Sequence, residues 1–152
     1  MKRVVIIALL HCAFIGVLGS TIVQPTSCNN HRATFRQTRY AVALTEPIVQ
    51  TGLFVYIAPD SVLWQYDGMK AMTLPPAMKS LIRLAVQGDT TAMMQAFDVQ
   101  RQGNTLTLIP KKKQLQRLFT SLQMTLDKQG AAKQVILNEP NGDRTEIEFF
   151  NR

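Results

Sequence analysis

Few residues of this chain could do chemistry on a bound molecule. Cys28 and His31 stand three apart and could offer two ligands to a metal, but no second pair of such ligands follows to complete a tetrahedral set. The other cysteine and histidine, Cys12 and His11, lie in an apolar leader, so one histidine is left beyond it. Neither a Ser-His-Asp nor a Cys-His pair can then be assembled within a folded sheet. Glu139, Asp143, Glu146 and Glu148 form an acidic cluster, and two carboxylates at a suitable separation can divide acid and base roles. Glu146 and Glu148, however, alternate with Ile147 and Phe149, which places them on the solvated face of a strand. No glycine-rich phosphate loop occurs. The expectation is a protein without catalytic residues, metal or cofactor, and not an enzyme.

The leader itself, "MKRVVIIALLHCAFIGVLGS", has the order of an export signal: Lys2 and Arg3, an apolar run from Val4 to Leu18, then small residues. Residues 1–19 are expected to be a signal peptide cut before Ser20, and residues 20–31 a short disordered leader ahead of one domain over 32–152. Two other outcomes stay open: an uncleaved membrane anchor over residues 4–23, and lipidation of Cys28 in "PTSC". Cys28 alone cannot form an internal disulfide, and export without disulfides suggests the periplasm. Losing Lys2 and Arg3 takes the formal charge from +7 to +5. The basic residues are scattered apart from Lys111–Lys113, so no nucleic-acid partner is expected; the lysine run reads as a solvated turn or a contact for an anionic surface.

With chemistry thin, the apolar pattern carries the reading. "RATFRQTRYAVAL", residues 32–44, reads as a strand. "GLFVYIAPDSVLWQY" reads as two more, 52–58 and 61–67, joined by a three-residue loop at Pro59–Ser61. The register that pairs Tyr56 with Trp64 and Phe54 with Tyr66 would gather four aromatics on one face. Leu53, Val55 and Ile57 fall on the other, so both faces want cover from a helix, a second sheet or an apolar ligand.

Residues 75–97 turn helical. Met78, Leu81, Ile82, Ala85 and Val86 recur at helical spacing, Gly88 ends that helix, and "DTTAMMQAF" opens a second at Asp89. Met78, Met93 and Met94 supply flexible, polarizable side chains that suit ordinary core packing and irregular apolar partners alike. The remainder is strand: "NTLTLIP", "FTSLQMTLD", "KQVILNE" and "RTEIEFF", with Asn141-Gly142 as a hairpin signal. Leu122, Met124 and Leu126 share one face, as do Ile147 and Phe149. The pattern predicts an α+β domain, a single curved antiparallel sheet of about eight strands with short helices against its apolar concave side.

Two stretches carry a resemblance to a known family. "FRQTRY....L..P...TG.FVY..PD.VLW.Y", from Phe35, and "NEPNGDRTEIEFFN" resemble the periplasmic outer-membrane lipoprotein carriers, the LolA-like proteins, over residues 33–67 and 97–151. That resemblance implies an unclosed half-barrel whose helical lid covers a cavity for lipoprotein acyl chains. Phe54, Tyr56, Val62, Trp64, Tyr66, Leu122, Met124, Leu126, Ile147 and Phe149 would line the cavity. Met78, Leu81, Ile82, Val86, Met93 and Met94 would form the lid. The implied partners are an acylated lipoprotein or another lipid, an inner-membrane release complex and an outer-membrane acceptor, the carrier itself being a monomer. Ala58 stands where the best-known carriers have an arginine that helps latch the lid, and the segment between Trp64 and Pro75 is short for the family. The other readings are an exported structural or interaction module without lipid cargo, and an acceptor anchored at the outer membrane.

Overall fold

The computed structural model describes residues 30–57, 61–76, 79, 90–128 and 132–151. Its elements are β1 (Asn30–Tyr40), β2 (Ile48–Ile57), β3 (Ser61–Tyr66), α1 (Thr90–Ala96), β4 (Phe97–Gln102), β5 (Thr105–Pro110), α2 (Lys113–Gln116), β6 (Ser121–Leu126), β7 (Ala132–Asn138) and β8 (Arg144–Asn151). The eight strands form one antiparallel sheet in the order β3-β2-β1-β8-β7-β6-β5-β4. It is not closed, since β3 and β4 are edges, and the domain is the α+β half-barrel that the pattern predicts.

Two meanders build the sheet, β1–β3 and β4–β8, and β1 joins them by pairing with β8 from Ala33↔Asn151 to Tyr40↔Arg144. The edge strands β3 and β4 follow each other in the chain but lie at opposite ends of the sheet. Seven strand spacings, about 34 Å along a flat sheet, separate them, so residues 67–96 must travel from one edge to the other. Leu74, Met93 and Ala96 of this connection are buried in the same cluster as the inner-face side chains, so both of its described ends pack on that face.

Several local expectations are corrected. β1 begins at Asn30, so the last two residues of the expected leader belong to the sheet, and it stops at Tyr40 rather than Leu44. The β2–β3 pair adopts Phe54↔Trp64, Gly52↔Tyr66 and Tyr56↔Val62, two residues away from the expected register. Its last pair is Ile57↔Ser61, so Ser61, expected in the loop, belongs to β3. A two-residue slip keeps every side chain on its face, so the aromatics still converge.

β4 was not among the expected strands. Its burial runs from one buried residue, Phe97, into five exposed ones, so no alternation betrays it. The Gly103-Asn104 pair between Gln102↔Thr105 is the signal that could have found it, a two-residue hairpin loop with Gly103 at φ +58. The polar stretch after Pro110 holds a helical turn, α2, because Leu115 and Phe119 plug into the core beneath it. Asn141-Gly142 does close a hairpin, though not as the central pair. Gly142 N–H donates to the Glu139 carbonyl at 3.1 Å, placing Pro140 and Asn141 at the centre and Gly142, φ +89, after them.

The second expected helix is α1, ending at Ala96 where β4 starts. Of the first, Lys79 N–H donates to the Pro75 carbonyl at 3.1 Å, a helical spacing. Met78, Leu81, Ile82 and Val86 lie outside the described residues, as do Ala58, Cys28 and the whole of 1–29.

Candidate functional site

The inner face is apolar from one edge to the other. In the β1–β3 half it carries Ala33 and Phe35 of β1, Phe54 and Tyr56 of β2, and Trp64 and Tyr66 of β3, all buried. In the other half Ile147 and Phe149, Val135 and Leu137, Leu122, Met124 and Leu126, and Leu106 and Leu108 continue it strand by strand. The ladder sets these residues side by side: Ile147↔Val135, Val135↔Met124 and Met124↔Leu106 make one row, Leu137↔Leu122 and Leu122↔Leu108 the next.

The aromatic half is built around a missing side chain. Gly52 stands between Phe35 and Tyr66, and a Cβ there would sit 2.2 Å from the Gln65 carbonyl oxygen and 2.6 Å from Phe35 Cζ. With no Cβ, the Phe35 ring crosses β2 and stacks on Trp64 with centroids 4.0 Å apart, meeting Tyr66 edge-on at 5.6 Å. Phe54 extends the cluster to Phe149 at 6.4 Å, across the junction of the two meanders. Such offset and edge contacts add to the area term of burial.

A polar pair interrupts this surface, and Thr145 adds a buried hydroxyl nearer its end. The Tyr66 hydroxyl donates to Gln37 Oε1 at 2.9 Å, and Gln37 is 1% exposed. Burial raises the phenol's pKa, while hydrogen bonding with Trp64 and Gln37 and the charge of Arg39 pull it partly back.

The segment over the face begins as an edge guard. After a turn with Gly68 at φ +75, Met72 N–H donates to the Trp64 carbonyl at 2.8 Å, which covers part of the free edge of β3. Leu74 then enters the core, and Met93 does so from α1. Met94, expected in the lid lining, is 61% exposed on the outer side of α1, because successive helical positions point 100° apart. Val62 is half-buried against the cluster. Thus the expected cavity residues share one face, whereas the two expected lid residues that are described divide, Met93 lying against it and Met94 pointing away.

Sequence reasoning missed Phe35, Leu74, Phe97, Leu106, Leu108, Phe119, Val135 and Leu137, all buried in the same cluster. Alternation within β5 and β7 could have found four of these. Phe97, where α1 gives way to β4, and Phe119, after α2, stack at 6.2 Å, and no local periodicity marks them.

The acidic cluster resolves into a clamp rather than a catalytic pair. Asp143 accepts from Arg39 Nη2 at 2.8 Å and from the Val42 N–H at 2.9 Å, and Glu139 Oε1 lies 3.9 Å from the same guanidinium. The Val42 amide first, then Arg39, holds the Asp143 carboxyl below its usual range. Glu146 pairs with Arg144 on the outer face and Glu148 is exposed there. Among the described residues no group of three or more His, Cys, Asp or Glu could hold a metal ion, and no helix is long and apolar enough to cross a membrane.

No family model matches the chain, and no curated protein matches it. Among solved structures it is similar to a putative outer membrane lipoprotein-sorting protein domain from Vibrio parahaemolyticus, at 12% identity and TM-score 0.37 over 81% of this chain and 84% of that one. It is also similar to a DUF1329 family protein from Desulfovibrio piger, at 10% identity and TM-score 0.31 over 83% and 85% of the two chains. A LolA superfamily protein from Nitrosomonas europaea follows, at 4% identity and TM-score 0.28 over 81% and 84%. Likenesses this loose decide nothing about activity. The inner face has to be read from its own side chains.

Proposed function

We propose that the inner face receives acyl chains, and that this is an exported carrier that shields the lipid part of a lipoprotein, or another lipid, on its way toward the outer membrane. The observation that carries the reading is continuity: apolar side chains run across all eight strands of a sheet open at both edges, with both described ends of the β3–β4 connection packed on them. In this role the connection moves off the face, and of the described strand pairing that motion touches only the isolated Met72–Trp64 bridge. Burying an acyl chain gains about 0.8 kcal/mol per methylene, on the order of 10 kcal/mol gross for a long chain. That is enough to compensate for displacing Leu74 and Met93 from their present contacts.

No bond in the cargo is made or broken in this role. The chain works in the periplasm as a monomer starting at Ser20, taking cargo from an inner-membrane release complex and passing it to an outer-membrane acceptor. Lid residues Met78, Leu81, Ile82 and Val86 cover the cargo, and Ala58, offering no charged hydrogen bond, leaves the lid easily opened.

A second reading is favoured by one observation. Trp64 is 0% exposed and stacked on Phe35, as in a core that is already full. On that reading the domain is an exported structural module whose connection completes the core for good. Organic extraction of the exported protein followed by mass spectrometry separates the two. A carrier yields lipid in near-stoichiometric amount; a module yields none, even after incubation with lipoprotein or phospholipid.

A further inference from the structure

One end of the half-barrel displays apolar side chains that the core does not use. The β1–β2 loop, residues 41–47, exposes Val42 at 74% and Leu44 at 50%, flanked by exposed Tyr40, Ile48 and Val49. A loose loop would hide such residues, but this one is held out. Asp143 grips the Val42 amide and Arg39 with two charge-assisted bonds of 2.9 and 2.8 Å, and Leu44 N–H closes a turn onto the Ala41 carbonyl at 2.9 Å. Beside it, a Cβ on Gly142 would come within 3.1 Å of Val42 Cγ2, so the β7–β8 turn backs the loop closely.

The antiparallel order brings the β5–β6 connection, residues 111–120, to the same end. There Leu115 and Phe119 are buried, and Lys112, Lys113 and Arg117 are exposed with no carboxylate partner among the described residues. Lys111 is neutralised by Asp98 at 2.9 Å, and Asp143 is taken up by Arg39. The cationic surplus is local to this connection: elsewhere on the rim Lys70 is offset by Asp67, and Glu46 and the second of the two carboxylates at Arg39 add negative charge. Four strand spacings, about 19 Å, separate the apolar loop from the cations. A projecting apolar tip beside a separate cationic turn, both anchored from beneath, fits a broad flat surface that is greasy inside and anionic outside.

We propose that this rim docks on an anionic phospholipid bilayer, with Val42 and Leu44 entering the headgroup region and Lys112, Lys113 and Arg117 facing lipid phosphates. The surface is distinct from the inner face, and its test does not depend on whether that face carries lipid. Leu44→Trp places a depth reporter at the tip, and Gln102→Trp places one at the opposite end, in the β4–β5 turn; the quenching of Trp64, measured with the same vesicles in the protein that carries it alone, is subtracted from both. Each exported protein is mixed with vesicles of phosphatidylethanolamine and phosphatidylglycerol (7:3) carrying brominated acyl chains, and with phosphatidylcholine vesicles. The expected result is quenching at position 44 on anionic vesicles at least fivefold that at position 102. Lys112→Glu with Lys113→Glu should weaken it tenfold or more, as should 0.5 M salt. Residues 1–29 lead into β1 at Asn30, at the same end of the sheet as position 102, so attachment through them would favour quenching at 102 and cannot mimic the expected result. No quenching at position 44, or equal quenching at 44 and 102, overturns the proposal. A spectral change at 44 that follows protein concentration without vesicles also overturns it, in favour of self-association.

Discussion

The two halves of the inner face are apolar in different ways. In β1–β3 the surface is made of rings whose contacts depend on one another: Phe35 reaches Trp64 only because Gly52 leaves the path clear, and Tyr66 is tied to Gln37 beneath them. In β5–β7 it is made of leucine, methionine and valine in ladder rows, each touching neighbours of similar size. Rings in fixed stacks give a stiff wall, while branched and linear aliphatic chains in rows can repack around a new volume. The difference suggests a division of labour, with a rigid aromatic wall that positions a guest and a compliant aliphatic wall that adjusts to it.

Gly52→Ala strikes at the stiff half and should have the largest effect. The added Cβ meets backbone at the Gln65 carbonyl as well as the Phe35 ring, so about 4–5 kcal/mol, or failure to fold, is expected in urea unfolding. Leu122→Ala in the other half should cost about 3 kcal/mol, and Leu122→Met under about 1.5 kcal/mol. If Gly52→Ala costs no more than Leu122→Ala, the aromatic half is as compliant as the aliphatic one and the contrast collapses.

The seam between the halves is tested by Asp143, which binds β8's start to the end of β1 across 104 residues of sequence. Asp143→Asn should cost roughly 1.5–3 kcal/mol, since it weakens hydrogen bonds that are charge-assisted. The native carboxyl has a pKa held below its unfolded value, so its contribution is fully present above the ordinary carboxylate range and is lost as pH falls through the lowered folded value. Wild type should therefore lose stability more steeply than Asp143→Asn as acid is added below about pH 4. Parallel melting curves across that range would detach the clamp from the pH response. The smallest effect belongs to Lys111→Ala, which removes an exposed pair with Asp98 and a bond to the Met94 carbonyl; a shift below about 1 kcal/mol is expected.

How much of this could be read beforehand differs between the same two halves. Alternation in β2 and β3 put Phe54, Tyr56, Trp64 and Tyr66 on one face, and the structure keeps them there. Their register was not legible, because slipping by two residues preserves the face; the choice is made by Gly52, whose role needs Phe35 from a different strand. In the β4–β8 half, β6 and β8 announce themselves by clean alternation. β4 does not, because an edge strand with one buried residue has no period to read. The turn at Lys113–Gln116 looked like solvent, since its only buried member is Leu115. The resemblance implies a lid with both Met93 and Met94, but which methionine of an adjacent pair turns inward depends on where the helix starts. The pairing of β1 with β8 is likewise beyond any local pattern, being settled by which edges the two meanders leave free.

The central claim, that an acyl chain lies against the aromatic wall, is most directly tested at Trp64, the chain's one tryptophan. A fatty acid brominated near mid-chain is titrated into the exported protein while the indole fluorescence is followed. The account predicts deep, saturable quenching at about one equivalent, relieved by competing unbrominated lipid. Quenching that is absent, or that rises linearly without saturation in protein shown to be folded, would mean that the core around Trp64 stays closed and that this face carries no cargo.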